Sequence, residues 1–585
     1  MSSSPSPRPA RSVPQSLVRL ADLAGARLEF LRPATDEAGH ELPDGADVTV
    51  TGITLRSGDV QPGDLFAALP GGRSHGASAV AAAVGAGAVA MLTDPAGAAL
   101  AREAAPELTL PLLVVDEPRP VLGELAAELY GRPSESLLVI GITGTSGKTT
   151  TSYLVEAGLV ANGLRTGVIG TVETRIGADV LPSAFTTPEA PDLQALLAVM
   201  VERGVQAVAM EVSSHALALH RVGAVRFAVG AFTNLSQDHL DFHADIDDYF
   251  RTKAQLFDGR AAAGVVDVDG EYGRRLAAEH PEVATVAAFS GAAADWTVTD
   301  LTIGAAGITN FTVHAPAADI PVALELPGSF NVSNAVLALA CIAAAGLDPL
   351  LAAPTLTSVV VPGRMQSVDH GQPFLAVVDY AHKPAALTAV LTALRPDTTG
   401  RIVLVIGAGG DRDRGKRALM GAAAVTGADI VVVTDDNPRT EDPAAIRAEI
   451  LAGIAGVAHT ATVHEIGDRR AAIRAAVDAA GPGDTVVIAG KGHEQGQYVG
   501  DTVIPFSDVD ELTDALHARA AAPTADPAAA PAAASTADPA AAPTADPAGA
   551  PTADLAAAPT AAPTADRAAA RSADPAAALP EGTTP

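Results

Sequence analysis

The stretch VIGITGTSGKTTTSYLVEAGLV, residues 139–160, decides the fold. The apolar run from Leu137 to Ile142 reads as a buried strand, Gly144-Thr145-Ser146-Gly147 as a turn, and Lys148-Thr149-Thr150 as the opening of an apolar-periodic helix. That order makes a phosphate cradle, because glycines let backbone N–H groups approach anionic oxygens and the helix N-terminus adds positive potential. Lys148 is then placed to reach the terminal phosphates of a nucleotide, and the Thr149 hydroxyl to serve a magnesium ion. The strict G-x-x-x-x-G-K-[ST] spacing is not met, since Ile142 stands where its first glycine belongs. An ordinary strand-to-helix turn is the competing interpretation, and the joint presence of strand, helix and Gly-Lys-Thr-Thr weighs against it.

Outward from this centre the pattern is α/β. Strand-like runs near 170, then VQAVAMEV, FAVGAFTNL and GVVDVD, alternate with helical stretches, which predicts a mostly parallel sheet covered on both faces. A second α/β unit follows with FLAVVDYA, RIVLVIGAG, DIVVVTDD and DTVVIAGKG, each ending in a polar or glycine-rich turn where such sheets place ligands. Before the phosphate loop, Gly63-Asp64 leads into the strand LFAAL, Pro70 to Gly76 is a loop, and GAVAMLTDP is a strand after an Ala-rich helix. The expected organisation is a disordered Ser/Pro/Arg-rich segment 1–17, a small domain 18–136, a central domain 137–362, a Rossmann-like C-terminal domain 363–519 and a tail 520–585. The tail repeats Pro, Ala, Thr and Asp, which blocks a continuous helix and offers almost nothing large and apolar to bury.

Composition narrows the function. A net charge of -30 over 585 residues excludes a general nucleic-acid or membrane-surface role, so phosphate binding must be local. Cys341 is the single cysteine, which rules out an intrachain disulfide and a cysteine-based zinc site and fits a reducing cytosol. The N-terminus lacks an apolar h-region and no charge-free run is long enough for a membrane helix, so a cytoplasmic protein without membrane insertion is expected.

Further motifs fall on strand ends and loops: TTPE (186–189), MEVSSHAL (210–217), FTNLSQDHLDFH (232–243), KAQLF (253–257), LPGSFNVSNAVLA (326–338), VPGRMQ (361–366), DYAHKP (379–384), GAGGDRDRGKR (407–417), DNPR (436–439) and GKGHE (490–494). In this order and spacing, over about residues 50–510, the chain resembles the Mur ligase family, and within it the MurE branch. The resemblance implies a three-domain architecture with a central phosphate-loop domain and an ATP-dependent amide-forming ligase of peptidoglycan precursor synthesis. The chemistry is intelligible on its own terms. A carboxylate becomes reactive toward an amine once the ATP γ-phosphoryl group converts it to an acyl phosphate, and two anions repelling by about 4 kcal/mol at ~4 Å must be aligned for that step.

Site residues follow by the same resemblance. ATP is expected at Gly144, Thr145, Ser146, Gly147, Lys148, Thr149 and Thr150, with Asn331 and Asn334 against the adenine and Arg364 meeting the nucleotide. Lys148, Glu211, His239, Lys253 and Asp379 are the expected catalytic residues. Thr149, Glu211, His239 and a CO2-derived carbamate on Lys253 are the expected magnesium ligands, the carbamate replacing an ammonium that two divalent ions would repel. Taken alone, Asn331 also reads as a helix cap, His239 as a satisfied polar histidine and Lys253 as surface decoration. Leu55, Gly72, Arg73, Ser74, Thr186, Thr187, Ser213 and Arg221 are expected around UDP-N-acetylmuramoyl-dipeptide. The family's usual Asp-Ser-Arg reads Thr54-Leu55-Arg56 here, Leu219 replaces a frequent glutamine, and Lys383 stands where threonine is commoner, which leaves its role open.

DNPR separates diaminopimelate-adding from lysine-adding members. By the same resemblance Arg439 is expected to grip the far carboxylate of diaminopimelate, with Arg412, Asp436, Asn437, Pro438, Gly490 and Glu494 expected to complete the pocket. The reading is a monomeric ligase joining diaminopimelate to the D-glutamate γ-carboxylate of UDP-N-acetylmuramoyl-L-alanyl-D-glutamate. The alternatives are a lysine-adding relative, a folylpolyglutamate-synthase-like ligase, and a nucleotide-dependent switch or scaffold that ligates nothing.

Overall fold

Val, Ile, Leu and Ala dominate the predicted strands, and such runs form parallel sheets buried on both faces. The structure, a computed structural model, describes residues 7–31, 48–72, 74–181, 185–240, 242–303 and 308–521. Arg73, residues 1–6 and the tail from 522 onward lie outside the described residues. The N-terminal sheet has five strands, Arg27–Phe30, Pro111–Val114, Ala90–Thr93, Asp64–Ala67 and Gly52–Thr54, all parallel except the first.

The central sheet has eleven strands. Its parallel part runs Thr166–Ile169, Ala207–Glu211, Leu138–Thr143, Phe227–Phe232, Ala261–Asp267, Ala284–Ala287 and Trp296–Ile303, with antiparallel strands at both margins. One face buries Leu154, Val155 and Leu159 of the helix Lys148–Ala161 and much of the helix Phe330–Ala344. The other face packs the helix Ala190–Glu202. The order matters more than the count. The chain leaves Leu138–Thr143, builds two parallel strands on one side, then crosses to Phe227–Phe232 on the other, so the carboxyl end of Leu138–Thr143 lies at a topological switch point.

The C-terminal sheet runs Gln366–Ser367, Leu375–Asp379, Thr485–Ala489, Ile402–Ile406, Ile430–Val433 and Thr462–Glu465, parallel apart from the first pair. It brings the turns that follow Asp379, Ala489, Ile406 and Val433 to one edge. Behind that edge Arg469 and Asp508, both fully buried, form a two-pronged ion pair at 2.7 Å on each arm, and Arg469 also donates to Ala489 O at 3.0 Å. Asp508→Asn keeps the volume but leaves a buried guanidinium without its counter-charge, so it is expected to destabilise this domain by about 3–5 kcal/mol, read from urea unfolding.

Two sequence expectations need correction. Composition predicts disorder for residues 7–17, yet they are held by tertiary contacts. Arg8 pairs with the buried Asp64 at 2.6 Å, the N–H groups of Ala10 and Arg11 donate to the Glu202 carboxylate at 2.9 Å, and Gln15–Ser16 pairs with Thr49–Val50. At the other end the helix Asp508–Ala521 runs past the expected boundary at 519.

The N-terminal and central domains share packing. Ala190, Ala195 and Ala198 join the core around Leu122, Leu125 and Leu129 of the helix Pro118–Leu129, and Arg119 reaches Glu189 at 3.1 Å. Among the described residues, no helix is long and apolar enough to cross a membrane.

Candidate active site

Three neighbouring strand ends of the central sheet build the phosphate cradle. Leu138–Thr143 leads into Gly144–Gly147, and the helix Lys148–Ala161 starts at Gly147 with no side-chain cap, leaving first-turn N–H groups open to an anion. Gly147 has φ 87°, and a Cβ there would come within 2.5 Å of Asn334 Oδ1. A side chain at 147 would be strained by that φ and would have to displace the Asn334 amide. From the adjacent strand end, Asn234 accepts from Ser146 N at 3.0 Å through its side chain and from Thr145 N at 2.9 Å through its carbonyl, while Thr233 Oγ1 donates to Ser146 O at 2.6 Å. Thr145 Oγ1 lies 3.2 Å from Tyr249 OH. The loop is therefore braced before any ligand arrives.

The other neighbouring strand ends in Glu211, whose carboxylate is buried. It accepts from Thr149 Oγ1 at 2.9 Å and from Thr171 through both N–H (2.7 Å) and hydroxyl (3.1 Å). Thr186 Oγ1 stands 3.0 Å from Thr171 Oγ1, and Thr187 Oγ1 donates to Glu211 O at 2.8 Å. Arg221 donates to Thr187 O at 3.0 Å and pairs with Glu189 at 2.8 Å. Ser213 accepts from Ala216 N at 3.1 Å, capping the short helix Ser214–Ala218. Thr186, Thr187, Ser213 and Arg221 thus gather around Glu211. Leu55 packs against the N-terminal core, and Gly72 and Ser74 are exposed on the loop beside it.

Two lysines, Lys253 buried and Lys148 half-buried, face the same loop carbonyl. Lys148 Nζ donates to Gly144 O at 2.9 Å and Thr145 O at 2.8 Å, and Lys253 Nζ donates to Gly144 O at 2.8 Å, 4.6 Å from the Tyr249 ring centre. Burial lowers the pKa of both ammonium groups, and the charge of Lys148 pushes Lys253 further down, well below the ordinary lysine range. His239 takes a left-handed backbone (φ 53°), packs edge-on to His215 at 4.9 Å, and is lowered by burial to about 4, so its imidazole is neutral at pH 7. Thr149 and Glu211 form a pair of hard oxygen donors that fits magnesium. Among the described residues, however, no cluster of three or more His, Cys, Asp or Glu side chains is arranged to hold a metal ion unaided.

Asn331 lies in the first turn of its helix rather than at its cap. It donates to Pro327 O at 2.7 Å and accepts from Asn334 Nδ2 at 3.0 Å. Arg364 lies over the Tyr380 ring at 4.4 Å. Asp379, its carboxyl pKa raised by burial, accepts from Met365 N and Ala381 N at 2.8 Å.

A second polar cluster occupies the C-terminal sheet edge. Lys491 is fully buried and donates to Asn437 Oδ1 (2.9 Å), Glu494 Oε2 (2.9 Å) and Gly496 O (2.7 Å), which uses all three ammonium protons. Asn437 Nδ2 donates to the same Glu494 oxygen at 2.7 Å. Asp436 crowds Gly490, where a Cβ would come within 2.9 Å of its carboxylate. Pro438 is buried, and Arg439 (φ 51°) is fixed by Arg439 N to Tyr498 O at 2.9 Å, Gly500 N to Arg439 O at 2.7 Å, and Arg439 Nη1 to Gly410 O at 2.7 Å. Arg412 is exposed and donates to Asp411 O at 3.2 Å.

Four contributors escaped the sequence reading. Asn234 and Lys491 lie inside quoted motifs, Thr171 follows a strand end, and Asp238 adjoins His239. For Asn234, Asp238 and Lys491 the signal was position within a motif, and Thr171 carried none; only the fold assigns each a partner.

A phosphate cradle on one α/β domain and a cluster of acidic and basic side chains on another are the marks of a multidomain phosphate-loop protein. Residues 142–342 match the Mur ligase middle domain, 363–492 the glutamate ligase domain of Mur ligases, and 49–130 the catalytic domain of the Mur ligase family. A Streptomyces coelicolor relative named UDP-N-acetylmuramoyl-L-alanyl-D-glutamate--2,6-diaminopimelate ligase is 54% identical over 516 residues, 87% of this chain and 98% of its own length. A relative of the same name from Corynebacterium glutamicum is 50% identical over 477 residues, 80% of this chain and 92% of its own. A solved structure of a ligase with that name shares 31% identity at a TM-score of 0.58, covering 84% of this chain and 100% of that one. The chain belongs to the Mur ligase family and is, by class, an ATP-dependent amide-forming ligase.

Proposed function

We propose that this chain joins diaminopimelate to the D-glutamate γ-carboxylate of UDP-N-acetylmuramoyl-L-alanyl-D-glutamate, with ATP becoming ADP and phosphate, as a cytoplasmic monomer. The 54% identity along 98% of a relative named for that substrate pair carries the reading. The residues support it in detail. The uncapped helix start and Lys148 receive the triphosphate, and Arg364 and Asp379 bring the third domain to it. Thr149 and Glu211 would hold magnesium, which supplies neutralisation of phosphate charge. Lys253, pushed toward the neutral amine, is in the form that adds CO2, and its carbamate together with His239 completes the proposed metal set. Thr186, Thr187, Ser213 and Arg221 orient the acceptor peptide beside Glu211, with Leu55, Gly72, Arg73 and Ser74 on the UDP side.

At the amino-acid end, the Lys491 and Asn437 bonds occupy Glu494 Oε2 and turn the carboxylate toward an ammonium, while Arg439 faces a carboxylate. Lys491→Met is accordingly expected to weaken apparent diaminopimelate affinity by about tenfold or more, since a hydrogen bond to a charged group contributes ~1.5–3 kcal/mol, with the KM for ATP unchanged.

The deciding experiment labels the D-glutamate γ-carboxylate with oxygen-18. One labelled oxygen must leave in the inorganic phosphate, and phosphate release must require both the UDP-dipeptide and diaminopimelate. Release of unlabelled phosphate only, or release without those substrates, would count against ligation and for a nucleotide switch.

A further inference from the structure

Lys383 sits immediately before the helix Pro384–Leu394, at its cap position, and makes no capping bond. A cation there opposes the positive end of the helix dipole, and a threonine in its place would supply the missing cap. The locally unfavourable lysine has a partner in another domain. Its Nζ lies 2.5 Å from Asp238 Oδ1, with side-chain exposures of 36% and 16%, so the pair is partly shielded from water.

Both ends of this ion pair are anchored to functional elements. Asp238 Oδ1 accepts from His239 N at 2.8 Å, and two residues upstream Ser236 is tied to the phosphate loop through Ser236 N to Thr145 Oγ1 (3.1 Å) and Thr145 Oγ1 to Ser236 O (3.2 Å). On the C-terminal side, the carbonyl of His382 accepts from Lys416 Nζ at 3.0 Å. Lys416 belongs to the GAGGDRDRGKR segment, in which Gly410 O holds Arg439 and Gly409 O accepts from Arg417 at 3.1 Å. Side-chain bonds joined by short backbone links therefore lead from the phosphate loop, through Asp238 and Lys383, to the segment that supports Arg439. Domains joined through modest polar interfaces move relative to each other unless something holds them.

We propose that Lys383 is a positioning residue: its ion pair with Asp238 latches the C-terminal domain against the phosphate loop, so that nucleotide and amino-acid sites are assembled together. In this role it acts through Asp238. This deepens the ligase reading above and rests on it for the role of the second pocket.

The test uses the full chain and the variants Lys383→Thr, Asp238→Asn and their combination. Lys383→Thr restores a helix cap, so its thermal midpoint should hold or rise while kcat/KM for diaminopimelate falls by about tenfold and loses its dependence on salt. If the two residues act as one unit, the double variant falls no further than the worse single variant. Small-angle scattering with a non-hydrolysable ATP analogue should show compaction of the unmodified chain and less of it in Lys383→Thr. A Lys383→Thr enzyme within about twofold of the parent in kcat/KM, compaction unchanged by the substitution, or losses that multiply in the double variant would each overturn the latch. The scattering arm needs neither UDP-dipeptide nor diaminopimelate. A parent that compacts but ligates nothing would therefore sink the substrate reading and leave the latch standing.

Discussion

Lys148→Met is expected to lower ATP-dependent phosphate release by about 10²–10³-fold while leaving the fold intact, because a preorganised donor aimed at developing phosphoryl charge is worth that much in a dry site. Lys148 is half-buried, and partial desolvation already disfavours its charged form. Its ammonium bonds only to Gly144 O and Thr145 O in the described structure, and Gly144 O keeps Lys253 as a second donor. Exchanging a partly desolvated cation for an apolar chain of similar length is therefore close to neutral for stability. The cradle itself survives, since Asn234, Thr233 and Asn334 brace the loop without Lys148. Phosphate release and a thermal melt on the same preparation check both halves. A variant with more than about a tenth of parental kcat would remove Lys148 from phosphoryl transfer. A variant that is inactive and also unfolded would show that the lysine mainly holds the loop together.

The contrast between Lys148 and Glu211 shows which part of the site was legible in sequence. The cradle is local: strand, glycine turn and helix are contiguous, so period and turn chemistry suffice. Glu211 lies 62 positions from Thr149, and their contact exists because the strand order sets Ala207–Glu211 beside Leu138–Thr143. Nothing in spacing encodes that neighbour relation; the family resemblance placed Glu211, and the sheet explains it. Composition misread residues 7–17, because a Ser/Pro/Arg-rich segment is disordered only when no buried carboxylate waits for its arginine, and Asp64 does. Lys491 was visible as a letter in GKGHE but not as the donor that orders Asn437 and Glu494, since a buried lysine declares itself only through its acceptors. Asn331 looked like a cap because it follows Gly-Ser-Phe, yet the helix begins one residue earlier and turns its amide onto Pro327 O.

Arg439→Ala is expected to reduce kcat/KM for diaminopimelate by about 10- to 150-fold, the equivalent of ~1.5–3 kcal/mol for a lost charge-assisted contact. Its backbone is held on both sides by Tyr498 O and Gly500 N, and one guanidinium nitrogen is spent on Gly410 O. The remaining N–H groups form the fork that a planar carboxylate matches. Alanine adopts φ 51° no less readily than arginine, so the turn and the melting temperature should be unaffected. The discriminating readout is the ratio of diaminopimelate to lysine use. Lysine carries no far carboxylate, so the substitution removes nothing that binds it and relieves the repulsion between its ammonium and Arg439. The ratio should therefore collapse from both sides, and Arg439→Lys should not restore it, because a single ammonium cannot make the paired contact. Were kcat/KM for diaminopimelate to stay within about threefold of the parent, or to fall equally for both amino acids, Arg439 would support the turn at Gly410 rather than read the substrate.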